Sequence, residues 1–402
     1  MAELTVPKTR VQSIDLLRGI VIVIMALDHV RDFFHNQAMT DDPTNLATTT
    51  PFLFFTRWIT HFCAPVFVFL AGTSGFLQGL RKSKKELSLF LIKRGLWLVF
   101  VEFALVTLGL SFDPGYHIFF LQVIWAIGTS MIILGLLVWL PFPLILLYGF
   151  VVVFFHNMLD ASEAAMAAGK EQLPLWWKFI HGRPFFEPFS ADNPGRGVFV
   201  PYAFVPWSGV MALGYCFGKL FRKDIDPARR QKALLYIGIG LTLFFIIIRF
   251  INKYGDFSHW SVQPRGSIYT FISFFNPSKY PPSLVYLSMT LGPAIIFLAF
   301  IEKVHNRFTR FFTIFGRVPF FFYILHFYLI HIFCVIAFYA SGYGNQDIVS
   351  PQVPFYFRPA KFGFNLWVVY AIWVAVILIL YPLCKKYNRY KTANPKWWTS
   401  YV

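Results

Sequence analysis

Residues 233–252 read ALLYIGIGLTLFFIIIRFIN, twenty residues with a single charge at Arg249. As a helix rising 1.5 Å per residue, such a stretch is ~30 Å long, the thickness of a bilayer's hydrocarbon core. Working outward, nine further stretches of the same kind lie at 14–34, 51–79, 88–111, 116–138, 141–157, 198–220, 282–301, 311–338 and 364–384. The composition agrees: the 402 residues are 57% hydrophobic and only 14% charged, where a soluble domain carries ~25% charged residues. A chain so poor in charge cannot clothe a water-facing surface. A disordered chain, a cytosolic enzyme and a secreted disulfide scaffold are excluded. The expectation is an all-α, polytopic integral membrane protein of about ten transmembrane helices, one domain over residues 1–402.

The formal net charge of +17 is unevenly distributed along this path. With both termini in the cytoplasm, the inner segments hold 24 of the 36 Lys and Arg but 6 of the 19 acids; the outer segments hold 12 of each, and Glu102 lies within a span. That is the positive-inside pattern. It places residues 1–13 and 385–402 in cytoplasmic tails, and it assigns the basicity to anionic lipid heads rather than to nucleic acid. The protein is expected in the cell (inner or plasma) membrane as a multi-pass protein, with membrane lipids as partners. The first apolar stretch has no small-residue cleavage site behind it and reads as a retained helix. Two long outer connections, 158–197 and 253–281, are rich in Pro and aromatic residues. They read as interfacial caps or as a lid and acceptor surface.

Ionisable groups at membrane depth are costly and mark function by default. The richest run is Asp28-His29-Val30-Arg31-Asp32-Phe33-Phe34-His35. On a continuing helix Asp28, Asp32 and His35 share a face, and a carboxylate beside an imidazole raises its basicity and fixes its tautomer. Asp28, His29, Asp32 and His35 are therefore the catalytic candidates. Arg57 and His61 begin the second span on the same side, and Pro65 opens the helix around His61 by leaving a carbonyl without its donor. With the mid-membrane His326 they form a candidate substrate-binding set. At the opposite end lie Arg18, Lys93, Arg94 and Arg317, which either anchor helix ends to lipid phosphate or converge on a phosphorylated ligand. Glu102 awaits a polar partner within its span. Cys63, Cys216, Cys334 and Cys384 sit in apolar runs and read as buried hydrophobes. The histidines show no HExxH and no Cys/His grouping, so no metal is expected. The glycine pairs Gly75/Gly79 and Gly214/Gly218 serve either packing within the chain or a homodimer.

Ser13-Ile14-Asp15-Leu16-Leu17-Arg18-Gly19 leading to Met25-Ala26-Leu27-Asp28-His29 resembles the first helix of the heparan-alpha-glucosaminide N-acetyltransferase catalytic-domain family of transmembrane acyltransferases. Ala64-Pro65-Val66-Phe67-Val68-Phe69-Leu70-Ala71-Gly72 is similar to its second-helix stretch. Lys93-Arg94-Gly95, Leu121–Gly128 and Gly316-Arg317-Val318-Pro319 with Tyr323 and His326 resemble later signatures. The resemblance implies acetyl-CoA, or another acyl-CoA, as a cytoplasmic donor, with the acyl group moved to an extracytoplasmic, carbohydrate-type acceptor such as a glycan or glycolipid. It implies a histidine near the far end of the first helix, at His29 or His35. Arg18, Lys93, Arg94 and Arg317 would then hold the CoA phosphates.

Two functions from different classes thus stand. One is an acyl-CoA-dependent membrane O- or N-acyltransferase. The other is a proton-coupled small-molecule transporter or flippase using the same Asp/His cluster as its substrate site.

Overall fold

A computed structural model describes residues 11–160, 163–164, 173–350, 353–394, 396 and 399. Most of the expected N-terminal tail, the last residues of the C-terminal tail, and 161–162 and 165–172 of the first long connection lie outside the described residues.

Helix α1 (Gln12–Phe34) is the hub. It is followed by α2 (Pro51–Trp58), a 3-10 turn at Ile59–Phe62 and α3 (Cys63–Gly79). Thr50 caps α2 through Leu53 N, with Pro51 at the first turn where its missing N–H costs nothing. The 3-10 turn lies where Pro65 predicts a break. Pro65 cannot donate to the His61 carbonyl, and the Tyr286 hydroxyl donates to it instead at 2.7 Å.

A capping box at Ser83 and Glu86 starts α4 (Lys84–Val101). A π-helical turn at Glu102–Val106 and α5 (Thr107–Ser111) continue it. Glu102 finds its partner in backbone: its carboxylate accepts from Gln122 N at 3.2 Å and Trp125 N at 2.7 Å. It therefore caps the start of α6 (Val123–Leu137), where unpaired N–H groups favour a negative charge.

Next come α7 (Phe142–Phe155), α8 (Leu175–Ile180), α9 (Phe204–Phe217), α10 (Pro227–Ile251), α11 (Ser267–Phe274) and α12 (Leu284–Ile301). The last three are α13 (Arg307–Arg317), α14 (Pro319–Ala340) and α15 (Leu366–Ala393). Among the described residues, five helical stretches are long and apolar enough to cross a membrane: Pro51–Gly79, Pro227–Ile251, Leu284–Ile301, Pro319–Ala340 and Leu366–Ala393.

The fold corrects the sequence expectation in three places. The chain is mostly helical but not all-α: Ile118–Phe120 (β1), Phe185–Pro188 (β2) and Gly197–Val200 (β3) form a sheet in the order β1-β3-β2. β1 runs parallel to β3, pairing Ile118 with Gly197, and β2 runs antiparallel. Two expected spans, 116–138 and 198–220, are shortened because their apolar first residues belong to these strands. The expected span 311–338 is two helices, because the Val318 backbone leaves the helical region and Pro319 starts afresh. α13 is an amphipathic helix begun by Asn306 and Thr309.

Backbone contact at glycines sets the crossings. α1 meets α13 at Gly19 and Gly316, where a Cβ on Gly316 would sit 1.7 Å from the Asp15 carbonyl oxygen. α3 meets α9 at Gly72 and Gly214, where a Cβ on Gly214 would sit 2.1 Å from the Phe69 oxygen. Gly214 is thus used within the chain. The helices packed on α1 are α3, α12, α13, α14 and α15.

Candidate active site

The C-terminal end of α1 carries Asp28, His29, Arg31 and Asp32, and α2 brings Arg57 against them. Arg57 reaches Asp28 at 2.5 Å and the Thr60 hydroxyl at 3.0 Å. Arg31 bridges both carboxylates, at 3.2 Å to Asp28 and 2.6 Å to Asp32. The carboxylates are therefore engaged by guanidinium groups. This corrects the expectation that Asp28 and Asp32 orient a histidine: Arg31, set between them on the same helix, reaches them first.

His29 points elsewhere. Its ring packs against His326 with centroids 5.2 Å apart and against Phe327 at 4.5 Å. The helix places Asp28 and His29 about 100° apart, so one faces α2 and the other α14. His326 is completely buried, and its Nδ1 bonds the Tyr323 carbonyl at 2.5 Å.

His35 does not join its expected partners. It is the residue at which α1 stops, and its backbone pairs with Phe364. The buried Arg358 donates to the carbonyls of Asp32 at 3.3 Å, His35 at 2.8 Å and Phe362 at 2.5 Å. One guanidinium so satisfies carbonyls that the helix end leaves open. Burial, with Arg31 and Arg358 nearby, pushes the His35 imidazole down to about 4.

His61 is buried beside Tyr286, with ring centroids 5.5 Å apart. Its Nδ1 meets no hydrogen-bond partner among the described residues. The second long connection folds over this end. Arg265 donates to the carbonyls of Leu46 at 2.7 Å and Thr49 at 2.9 Å, and Asn276 donates to Thr44 at 3.0 Å. The same connection delivers Lys279, which acts electrostatically on Asp28, His29, Asp32 and His61. Tyr280 follows it, its hydroxyl 3.5 Å from that of Tyr202. The site thus contains Lys279, Tyr280, Tyr202, Tyr286 and Arg31 beyond the residues expected. Arg31, inside the ionisable run of the first helix, and Lys279-Tyr280, an ionisable pair in an aromatic loop, carried a signal in the sequence; Tyr202 and Tyr286 did not.

At the other end of α1, Arg18 ties three helices together. It bonds Asp15 at 3.3 Å, the Gly316 carbonyl at 3.4 Å and the Ser74 hydroxyl at 2.9 Å. Arg317 follows Gly316 and belongs to the same crossing. Lys93 and Arg94 ride on α4, which packs on α6 and α3, and Lys93 is exposed. Lys82 and Lys84, not singled out from sequence, line a cavity of about 190 Å³ with Gly79, Phe142 and Tyr215 at this end.

Away from both ends, Asp160, Glu163 and His181 have ligand-type atoms within 4.8 Å of one another. The wide sequence spacing hid this grouping. His181 spends one ring nitrogen on Glu163 at 2.8 Å and the other on His156 at 2.9 Å, so the protein itself occupies both.

Among known proteins, the family described as heparan-alpha-glucosaminide N-acetyltransferase, catalytic, matches residues 10–248. The match takes in α1, both ion-paired arginines of its far end, and His61. No curated protein matches the chain as a relative. A match over more than half of the chain, on a helical frame with membrane-crossing helices, establishes that this membrane protein belongs to the heparan-alpha-glucosaminide N-acetyltransferase catalytic family.

Proposed function

We propose that the protein is an integral membrane acyltransferase that takes an acyl group from cytoplasmic acetyl-CoA or a similar acyl-CoA. The acceptor is an extracytoplasmic hydroxyl or amine of carbohydrate type, on a glycan or glycolipid. In this reading the chain crosses the cell membrane ten times with both termini inside. α1 to α7, α9, α10, α12, α14 and α15 supply the crossings, with α2–α3 and α4–α5 each counting as one.

The observation that carries the reading is the polarity of α1. Arg18, beside Arg317, stands at one end, and the half-buried His29 stands eleven residues on, ~16 Å along the axis. That is about half of a hydrocarbon core, a span suited to a long thioester arm whose phosphates stay at the Arg18 end. The buried polar atoms of His326, beside His29, and of its neighbour Tyr323 meet no partner among the described residues and fit such a ligand better than an apolar filling.

His29 is the base in this scheme. The acceptor oxygen or nitrogen bonds to the acyl carbon, the carbon–sulfur bond breaks, and the proton lost by the acceptor passes through His29 to the departing thiolate. Transfer by way of an acyl-histidine splits the same balance into two steps. Arg57 and Lys279 keep the site cationic next to the developing oxyanion. Asp28, held by Arg31 and Arg57, fixes α1 to α2.

The test is the melting temperature of detergent-purified protein with acetyl-CoA, with ATP as the phosphate control. A saturable rise with acetyl-CoA alone is expected, worth ~2.7 kcal/mol at a hundred times Kd. His29→Ala is expected to keep that rise while losing transfer by about 10²–10⁴-fold. A well-folded sample that does not respond to millimolar acetyl-CoA would overturn the acyltransferase reading and favour the transporter.

A further inference from the structure

Two polar atoms deep in the bundle have no partner among the described residues, and they are chemically complementary. His326 Nδ1 lies 2.5 Å from the Tyr323 carbonyl, which can only accept, so Nδ1 carries the proton. Nε2 is then a bare lone pair. It is fully buried and meets no donor among the described residues. One turn earlier on the same helix, the Tyr323 hydroxyl is buried and likewise meets no partner there. The two rings lie 5.4 Å apart, three residues apart along α14, with the His326 ring against His29 of α1. An orphaned buried donor or acceptor costs about 1–3 kcal/mol, so two side by side favour a ligand that offers one group of each kind.

We infer that Tyr323 and His326 bind one secondary amide of the acyl donor's arm, the hydroxyl donating to its carbonyl and Nε2 accepting from its N–H. This rests on the acyl-CoA reading above and deepens it. In an acyl-CoA the last amide is separated from the thioester sulfur by two methylenes. His29 packs directly on the His326 ring. An amide held at His326 therefore sets the thioester beside the proposed base. Tyr323 and His326 are positioning residues in this account, and they discriminate for an arm that carries an amide.

The experiment compares wild type with Tyr323→Phe and His326→Phe, both of which keep a ring in place. Melting temperatures and affinities are measured for acetyl-CoA and for adenosine bisphosphate, the head of coenzyme A without its arm. Each variant is expected to bind acetyl-CoA about tenfold more weakly, the size of one lost hydrogen bond, and to bind the bisphosphate unchanged. Without ligand, Tyr323→Phe is expected to melt at or above the wild-type temperature, because an unmet polar atom has gone; His326→Phe also loses the Nδ1 bond to the Tyr323 carbonyl and is read by affinity alone. Wild-type affinity for acetyl-CoA in both variants overturns the amide assignment and leaves the acyltransferase reading intact. Equal losses for acetyl-CoA and the bisphosphate also overturn it, since the effect would not be the arm's. A fall in the unliganded melting temperature of Tyr323→Phe overturns it as well, because bound water would already satisfy that hydroxyl. A wild type that binds neither compound removes the acyl-CoA reading and this inference together.

Discussion

Asp28, His29, Arg31, Asp32 and His35 lie within eight residues, yet each has different company. Arginines hold the carboxylates, His29 rests on His326, and His35 is buried against Arg358 at the helix end. The density of ionisable groups at this end was legible, because charge in an apolar helix stands out. The carboxylates are paired from nearby, by Arg31 and Arg57. The company of His29, His61 and His35 was not legible, since it depends on His326, Tyr286 and Arg358, all brought from more than 200 residues away. His35 yields a test at this scale. Its folded-state value of about 4 lies below the ~6.5 of a free imidazole. The unfolded chain therefore takes up a proton first as the pH falls, and stability present above that window is lost across it. The melting temperature is expected to fall between pH 7 and pH 4, with a smaller fall in His35→Gln. An identical acid slope in that variant would show that His35 does not set it.

At the scale of elements, the helices were readable from their apolar runs, and several of their starts are side-chain caps at Thr50, Ser83, Asp226, Ser283, Asn306 and Asn365. The opening at Pro65 was readable as well, because a missing N–H must free a carbonyl. The strands were hidden. Ile118–Phe120 and Gly197–Val200 are apolar and continuous with the helices that follow, so neither length nor periodicity separates them. The break at Val318 did carry a signal in Pro319, but the apolar run on both sides of it reads as one span. Glycine crossings are the stability test here. Gly316→Ala drives a Cβ into the Asp15 backbone, and a loss of about 2–3 kcal/mol is expected in detergent unfolding. Gly240, with nothing within 4 Å of its Cβ position, is the control; Gly240→Ala should be neutral or gain up to ~1 kcal/mol. Equal responses would mean that the α1–α13 crossing is not tight.

Across the whole molecule, the proposed ten-crossing path rests on where Lys and Arg fall, a property of the chain that needs no structure to read. The four native cysteines are buried and free, which suits a labelling test. A membrane-impermeant maleimide is expected to reach Lys232→Cys only from the cytoplasm and Asp192→Cys only from outside. Labelling of both from one side would break the path. What the whole chain could not disclose is its closure, in which distant segments return to α1.

That closure has a consequence for biosynthesis. The carbonyl of His35 is met by Arg358, 323 residues later, and that of Val23 by the indole of Trp373. At about 5–20 residues per second, a ribosome delivers those partners tens of seconds after α1 has emerged. Throughout that interval the first helix has an unfinished end and lacks the distant partners of its carbonyls. The first helix is therefore the earliest to be made and among the last to be completed.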